Sequence, residues 1–307
     1  MNYHCPVLLK ESIEGLNIRP DGIYVDVTFG GGGHSRAILE KLGTGRLIAL
    51  DQDADALANK PDDERLILSR GNFRFLQNYL AHHGYRQVDG ILADLGVSSH
   101  HFDSVDRGFT FQNPAPLDMR MNEAASLTAA MVINQYPEDR LCSIFRQYGE
   151  VDNAFRLAKQ IVSVRRDMPI ADNRQLVEGI KTCVPRGAEN KYLAKVFQAL
   201  RIEVNGELES LKELLTQSVR LLSGNGRLVI ITYHSLEDRL VKNFFRNGMF
   251  EGTAPKDIYG RTSVPFRQVN NKVIVPDDAE ISINSRARSA KLRIGEKQSE
   301  GDGKGTC

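Results

Sequence analysis

Several things are scarce in this 307-residue chain, and each scarcity excludes a class. No apolar run approaches the ~18 or more residues of a membrane-spanning helix. The first residues, Met1-Asn2-Tyr3-His4-Cys5-Pro6, lack the charged-then-apolar order of a secretory leader. The expectation is therefore a cytoplasmic chain with no membrane partner. Cysteine is sparse and scattered at Cys5, Cys142, Cys183 and Cys307, with no C-x-x-C pair. That pattern fits a reducing compartment and argues against both a disulfide framework and a zinc site. The neighbouring histidines His82-His83 and His100-His101 come without carboxylates at ligand spacing, so no metal is expected. Charge of one sign is missing too: 40 Lys and Arg face 39 Asp and Glu. Net charge by itself announces no nucleic-acid partner. Apolar residues make up 41% and charged residues 26%, which is ordinary for a globular protein.

What is present is concentrated between Gly22 and Asp51. An apolar, β-prone run, Ile23-Tyr24-Val25-Asp26-Val27-Thr28-Phe29, leads into four glycines, Gly30 to Gly33, then His34-Ser35. A helix-like stretch to Gly43 and a second apolar run, Arg46-Leu47-Ile48-Ala49-Leu50-Asp51, complete a βαβ pattern. Glycine at the first crossover lets a ligand approach the backbone, and the following helix turns its free N–H groups and positive end toward it. Asp51 closes the second strand 21 residues after Gly30, where an acid bonds the two hydroxyls of a ribose. The stretch therefore predicts an adenosine-type cofactor. Asp26 stands four residues before Gly30, and Ser35 occupies the place of a third glycine. An acid-x-x-x-Gly-x-Gly run resembles the first motif of the S-adenosylmethionine-dependent methyltransferases more than a dinucleotide fingerprint.

Further along, Asp53 opens a helix as its N-cap, and Leu66-Ile67-Leu68-Ser69 reads as a third strand. Gly71-Asn72-Phe73 follows at the end where open α/β sheets bind ligands, so Phe73 either lies against an adenine or fills the core. Val88 to Asp94 is a fourth strand, with Asp94 at its end and Leu95-Gly96-Val97-Ser98-Ser99 after it. From 101 to 196 no buried strand is evident. Helices are expected there instead, opening at Pro137, Asp152 and Asp172, with 13 Lys and Arg against 12 Asp and Glu. Apolar residues recur at helical spacing from Lys191 to Leu222, which predicts one long helix returning to the sheet. Arg227 to Tyr233 is a fifth strand with His234-Ser235-Leu236-Glu237-Asp238-Arg239 at its end. Residues 254–276 read as loop, Ser289 to Ile294 as a last strand, and 296–307 as a disordered tail. The expected organisation is an α/β cofactor domain, 1–100 with 197–295, interrupted by a helical insert, 101–196.

Seven blocks together carry a family resemblance. They are Asp26 to Ser35, Asp89 to Ser99, Arg107 to Phe111, Pro116 to Met121, Val196 to Asn205, His234 to Arg239 and Arg286 to Arg293. The chain resembles the bacterial small-subunit ribosomal RNA methyltransferase H family, over nearly its whole length. The resemblance implies a class I, Rossmann-like methyltransferase sheet with an inserted helical subdomain that helps bind RNA. It implies S-adenosylmethionine as cofactor, with contacts at Gly32, Gly33, His34, Asp51, Phe73, Asp94 and His101. It implies methylation of the N4 amine of a decoding-centre cytidine in 16S ribosomal RNA, within the small subunit, in the bacterial cytoplasm. A homodimer is compatible with it.

The chemistry asked of such a site is mostly alignment, because a methyl on a sulfonium is already electrophilic. The target is harder, since the N4 lone pair of cytosine is delocalised into the ring. Acceptors on the two N–H groups localise it as a proton leaves, and Asp94 is the candidate catalytic residue; holding the cofactor's amine is its alternative role. Other amino-methyltransferases carry Pro-Pro-aromatic after the acid, and here Leu95-Gly96-Val97 stands instead. The ring that stacks on the base must come from elsewhere, with Phe109, Phe111, His101 and Tyr233 as candidates. Two rival readings are an NAD-dependent oxidoreductase and a non-catalytic RNA-binding assembly factor. Asp26 and Ser35 count against the first; Gly30 to Gly33, Asp51 and Asp94 count against the second.

Overall fold

The computed structural model describes residues 6–96, 107–253, 264–270 and 272–299. The chain divides into two compact units, 1–96 with 208–307, and 97–207.

The first unit is built on a seven-stranded sheet of order β3-β2-β1-β4-β5-β7-β6. The strands are β1 (Ile23–Asp26), β2 (Arg46–Asp51), β3 (Leu66–Arg70), β4 (Val88–Asp94), β5 (Leu222–Thr232), β6 (Phe266–Gln268) and β7 (Lys291–Lys297). β1 to β5 are mutually parallel, while β7 runs antiparallel to β5 and β6 antiparallel to β7. The central strands are apolar on both faces, as a sheet covered on both sides requires. Alternation sends Val25, Ile48, Ile91 and Ile230 into one layer, and Tyr24, Leu47, Leu92 and Val229 into the other. Helices α1 (Leu9–Leu16) and α2 (Gly33–Lys41) carry Leu16, Ile38 and Leu39 into the second layer; α3 (Leu76–His82) packs Leu76 and Leu80 into the first. Strand order reverses between β1 and β4, so their carboxyl ends open a crevice at the topological switch point.

The described residues of the second unit contribute no strand to this sheet. Its helices are α4 (Ala129–Gln135), α5 (Glu138–Gln147), α6 (Ala154–Asp167), α7 (Asn173–Gly179) and α8 (Glu189–Asn205). They enclose a core that includes Ile133, Phe145, Leu157, Ile161, Leu176 and Leu200. Asp172 caps α7 as expected, accepting the Gln175 N–H at 2.7 Å.

Five expectations are corrected. The apolar stripe from Lys191 to Leu222 is two helices, α8 and α9 (Glu207–Leu221). Gly206 ends α8 in the left-handed region at φ 59, donating its N–H to Ile202 O, and a glycine stops a helix there at little cost. The periodicity runs across the break because each half has its own core to face: Val196 and Leu200 pack in the second unit, Leu211 and Leu215 in the first. The compact units accordingly meet near 207–208 rather than at 197. Residues 254–276 are not all loop, since Phe266–Gln268 adds an edge strand to β7. Nor does order end at 295. β7 continues to Lys297, where Glu296 accepts from Arg227 at 3.1 Å and from Arg267 at 2.5 Å. Gly295 is held against Phe245, and a Cβ there would lie 2.8 Å from that ring. Finally, Asp53 caps no α-helix. It accepts the Asp55 N–H at 3.1 Å ahead of a short 3-10 turn, Asp55–Asn59. Among the described residues, α10 (Ser235–Asn247) and α11 (Asp278–Ile283) complete the helices of the first unit.

Candidate active site

The glycine turn leaves β1 with Gly30 at φ 51 and Gly32 at φ 75, a backbone region that side chains disfavour. Gly32 N–H closes the turn on Phe29 O at 2.7 Å, and α2 begins at Gly33. A Cβ on Gly33 would fall 2.1 Å from the Pro6 ring, so that position is closed to larger residues. Asp51 ties this turn to the end of β2. Its Oδ2 accepts the Gly30 N–H at 2.7 Å and its Oδ1 accepts the Asp53 N–H at 2.9 Å. A carboxylate is an acceptor-only group with about four lone-pair positions, the chemistry that receives ribose hydroxyls. Phe73 starts a 3-10 turn beyond β3 and is half-buried against the sheet core, with an open face. Asn72 secures that turn by accepting the Arg74 N–H and donating to Gln52 Oε1, each at 2.9 Å. Gly32, Gly33, Asp51 and Phe73 thus gather at the carboxyl ends of β1, β2 and β3.

The switch point between β1 and β4 holds a cluster of ionisable groups. Asp26 is 1% exposed; its Oδ2 accepts from the Ser35 hydroxyl at 2.7 Å and its Oδ1 from the Thr28 N–H at 3.1 Å. Ser35, where a dinucleotide fingerprint has glycine, therefore satisfies a buried acid. Thr28 Oγ1 in turn accepts the Asp94 N–H at 2.7 Å, linking β1 to β4. His34 is buried in the first turn of α2, with Nε2 3.1 Å from Val7 O and Nδ1 3.8 Å from Asp94 Oδ2. Its side chain faces the acid as well as packing. Tyr233, just past β5, donates its hydroxyl to Asp94 Oδ1 at 2.8 Å. Glu237, buried on α10, accepts the Tyr233 N–H at 2.9 Å, and His234 caps α10.

Burial raises the Asp94 carboxyl to about 6, with the charges of Asp26 and Glu237 adding to it; the nearby His34 and the Tyr233 hydroxyl pull the other way. Burial likewise raises Asp26, against His34 and the hydrogen bonds from Ser35 and Thr28. The Tyr233 phenol lies well above its ordinary value, through burial and then the Asp94 charge. Asp94 nevertheless keeps 23% of its side chain exposed. It is an acid that titrates near neutrality at the mouth of the crevice, the combination that marks proton-handling sites.

His101 lies outside the described residues. Phe109 is a core residue of the second unit, and the half-buried Phe111 packs edge-on against Phe197 at 5.5 Å. The Tyr233 ring is committed to Gly96, where a Cβ would stand 3.0 Å from its Cδ2. Thr28, Ser35 and Glu237 were not singled out as site residues from sequence, and Tyr233 was named only as a candidate stacking ring. Tyr233 and Glu237 carried one usable signal: they stand at the end of the fifth apolar run, Arg227 to Tyr233. The Arg107, Pro116 and Val196 blocks meet inside the second unit, where Asn205 accepts the Met121 N–H and donates to Met119 O, each at 2.8 Å. The His234 and Arg286 blocks meet through Asp238 and Arg293, at 2.7 Å.

The parts fit an adenosyl-sulfonium cofactor: an open glycine turn, an acid at the end of β2, a half-open ring after β3 and further acids at the switch point. Comparison with known proteins agrees. The model of the MraW methylase family matches residues 1–298. A protein of Bacteroides thetaiotaomicron named ribosomal RNA small subunit methyltransferase H is 58% identical over 299 residues, covering 97% of this chain and 98% of that protein. One of the same name from Flavobacterium johnsoniae is 56% identical over 298 residues, with 97% and 98% covered. Among solved structures, a putative methyltransferase from Streptococcus mutans in complex with SAH aligns over 97% of this chain and 99% of its own, with a TM-score of 0.42 and 12% identity. On the match of that family model over residues 1–298 and on these relatives at 56–58% identity, the chain belongs to the MraW methylase family.

Proposed function

We propose that this S-adenosylmethionine-dependent methyltransferase methylates the N4 amine of a cytidine in the decoding centre of 16S ribosomal RNA, in the cytoplasm and within the small subunit. The observation that carries the reading is the Asp94 carboxyl, held beside the glycine turn at the switch point and raised to about 6. When bound, S-adenosylmethionine would supply an electrophilic methyl group on a cationic sulfur able to leave with the C–S electron pair.

The chain's residues do the rest. Asp51 receives the ribose hydroxyls while holding Gly30. The first turn of α2, with His34, sets the floor of the crevice. Asp94, ionised above its raised value, accepts an N4 proton: it localises the lone pair before transfer and takes the proton that must leave afterwards. With Oδ1 bonded to Tyr233, Oδ2 is the oxygen left toward the crevice and His34. The helical unit, which has its own core and whose described residues lend no strand to the sheet, is assigned to RNA contact.

Labelled methyl transfer tests the whole reading. Purified protein, labelled cofactor and either naked 16S RNA or assembled small subunits are incubated, and the RNA is digested to nucleosides. Label in N4-methylcytidine is the expected result. Label on another atom, or none with either substrate, overturns it.

A further inference from the structure

Asp94 is gripped from two sides by hydrogen-bonded groups. On the β1 side, Asp26 holds Thr28, and Thr28 accepts the Asp94 N–H at 2.7 Å. On the β5 side, Glu237 accepts the Tyr233 N–H at 2.9 Å, and the Tyr233 hydroxyl donates to Asp94 Oδ1 at 2.8 Å. The ring itself is wedged against Gly96, whose φ of 102 carries the backbone away from β4. A phenol so placed has its donor direction fixed by both ends: the backbone by Glu237, the ring by Gly96. We infer that Tyr233 is a positioning residue for the methyl transfer, which fixes the Asp94 carboxylate by its hydroxyl and leaves the other oxygen to face the target amine. The inference rests on the proposed role of Asp94.

Three consequences distinguish positioning from mere packing. First, the hydroxyl stabilises only the ionised carboxylate as an acceptor, so its loss moves the Asp94 titration upward. The groups facing Asp94 are His34 on α2, Asp26 on β1, Glu237 on α10 and Tyr233 itself; Glu280 adds its charge near Tyr233. None of the others is altered when the phenol oxygen alone is removed. Second, Tyr233→Phe keeps the ring on Gly96, so the fold and the glycine turn stay in place. Third, the effect depends on Asp94 being present.

The test combines a titration that does not depend on turnover with one that does. Carbon-13 carboxyl NMR of the full chain follows Asp94 through its titration in the parent protein and in Tyr233→Phe. Single-turnover transfer to small-subunit RNA is measured across the same pH range at saturating cofactor. A charge-assisted hydrogen bond of this kind corresponds to an upward shift of about one pH unit, in both the NMR midpoint and the acid limb of the rate. With the midpoint moved from about 6 to about 7, transfer falls about threefold near pH ~6.5 and recovers by about pH 8.5. Site-specific 3,5-difluorotyrosine at 233 is a stronger donor and moves both midpoints down. In an Asp94→Asn background, Tyr233→Phe adds little. Cofactor affinity by calorimetry stays within about twofold throughout, and also reports that each variant is folded.

An NMR shift without a matching move of the rate limb overturns the inference, because Tyr233 would then tune an acid that the reaction does not use. No shift in either measurement, or loss appearing only in cofactor affinity, overturns it as well. Absence of methyl transfer by the parent protein is a different failure: it removes the proposed function, and the positioning role falls with it whatever the NMR shows.

Discussion

The two units bury polar groups in opposite ways. In the helical unit they serve loop backbone. Asn173, 1% exposed, accepts the Ala115 N–H at 3.0 Å and donates to Thr110 O and Asn113 O at 2.7 and 2.5 Å. The half-buried Asn205 accepts one backbone N–H and donates to Met119 O and Arg201 O, and the buried Arg107 donates to Arg120 O and Met121 O at 2.7 and 3.2 Å. The two amides are neutral and bonded to backbone, so they fix the loops at 110–121 without a charge penalty. In the sheet unit the buried groups include a cluster of acids. Asp26 and Glu237 are almost wholly enclosed, Asp94 is largely so, and the charges of Asp26 and Glu237 raise the affinity of Asp94 for its proton. Like charges brought together in a poorly solvated crevice oppose folding. The contrast separates a part of the molecule arranged to hold its shape from the part that carries the candidate site, as stability is commonly given up where chemistry is done.

Asp94→Asn breaks the contrast most sharply, with opposite signs in rate and stability. The amide can still accept from Tyr233 but takes no proton from N4. Single-turnover transfer at saturating cofactor and RNA should fall by a factor on the order of 10²–10³. A near-normal rate there would leave Asp94 as a residue that only binds cofactor. Stability should move the other way. The folded chain holds the Asp94 proton up to about 6, against an ordinary 3.8, so between those values it binds more protons than the unfolded chain. That contribution is fully present below the ordinary value and is lost as pH rises through about 6, by at most about 3 kcal/mol. Asp94→Asn should therefore melt above the parent protein at neutral pH, with the gap closing in acid. A gap independent of pH would show that the carboxyl is not raised.

Asp51→Ala tests the other acid of the sheet unit, which is bonded rather than crowded. Losing charge-assisted bonds to ribose should weaken cofactor binding by about 1.5–3 kcal/mol, roughly 10- to 150-fold. Because Asp51 also holds Gly30, Asp51→Asn should fall between the two, keeping one acceptor for the turn. Unchanged affinity in a folded Asp51→Ala protein, by calorimetry, would remove Asp51 from the site.

Asn205→Ala carries the comparison into the helical unit. It strands the Met121 N–H and the Met119 carbonyl, so unfolding free energy should drop by about 1–3 kcal/mol. Cofactor affinity should not move, and an equal loss in affinity would erase the distinction between the units.

How much of this was legible in the sequence follows the same division. The glycine turn, Asp51, Asp94 and the strands on either side of the switch point were readable because they lie within short local patterns: apolar runs, glycines and strand-ending acids. The Tyr233–Asp94 bond spans 139 residues, and no local period records a pairing of β4 with β5. The break at Gly206 was hidden by an apolar stripe that two different cores share. Glu296 and Gly295 looked like tail because their partners, Arg227, Arg267 and Phe245, are remote in the chain. Phe109 and Phe111 looked like stacking rings because sequence shows an aromatic side chain and not the core that receives it.

Phe73 lies between the two kinds of position, and the smallest of these effects decides which it is. It stands after β3, beside the Asn72–Gln52 bond that links the strand ends, and it is half-buried against the sheet core. If its open face takes the adenine, Phe73→Leu removes a ring contact while keeping apolar cover over the core. An aromatic contact of this sort is worth about 0.5–1.5 kcal/mol, so cofactor affinity should fall roughly two- to tenfold. Unfolding free energy should change by less than the affinity does, because leucine fills most of the same buried side. Calorimetric titration and denaturant unfolding on the one variant give both numbers. Intact affinity with a larger loss of stability would assign Phe73 to the core, with the helical unit's Phe109, and leave the adenine to another side chain.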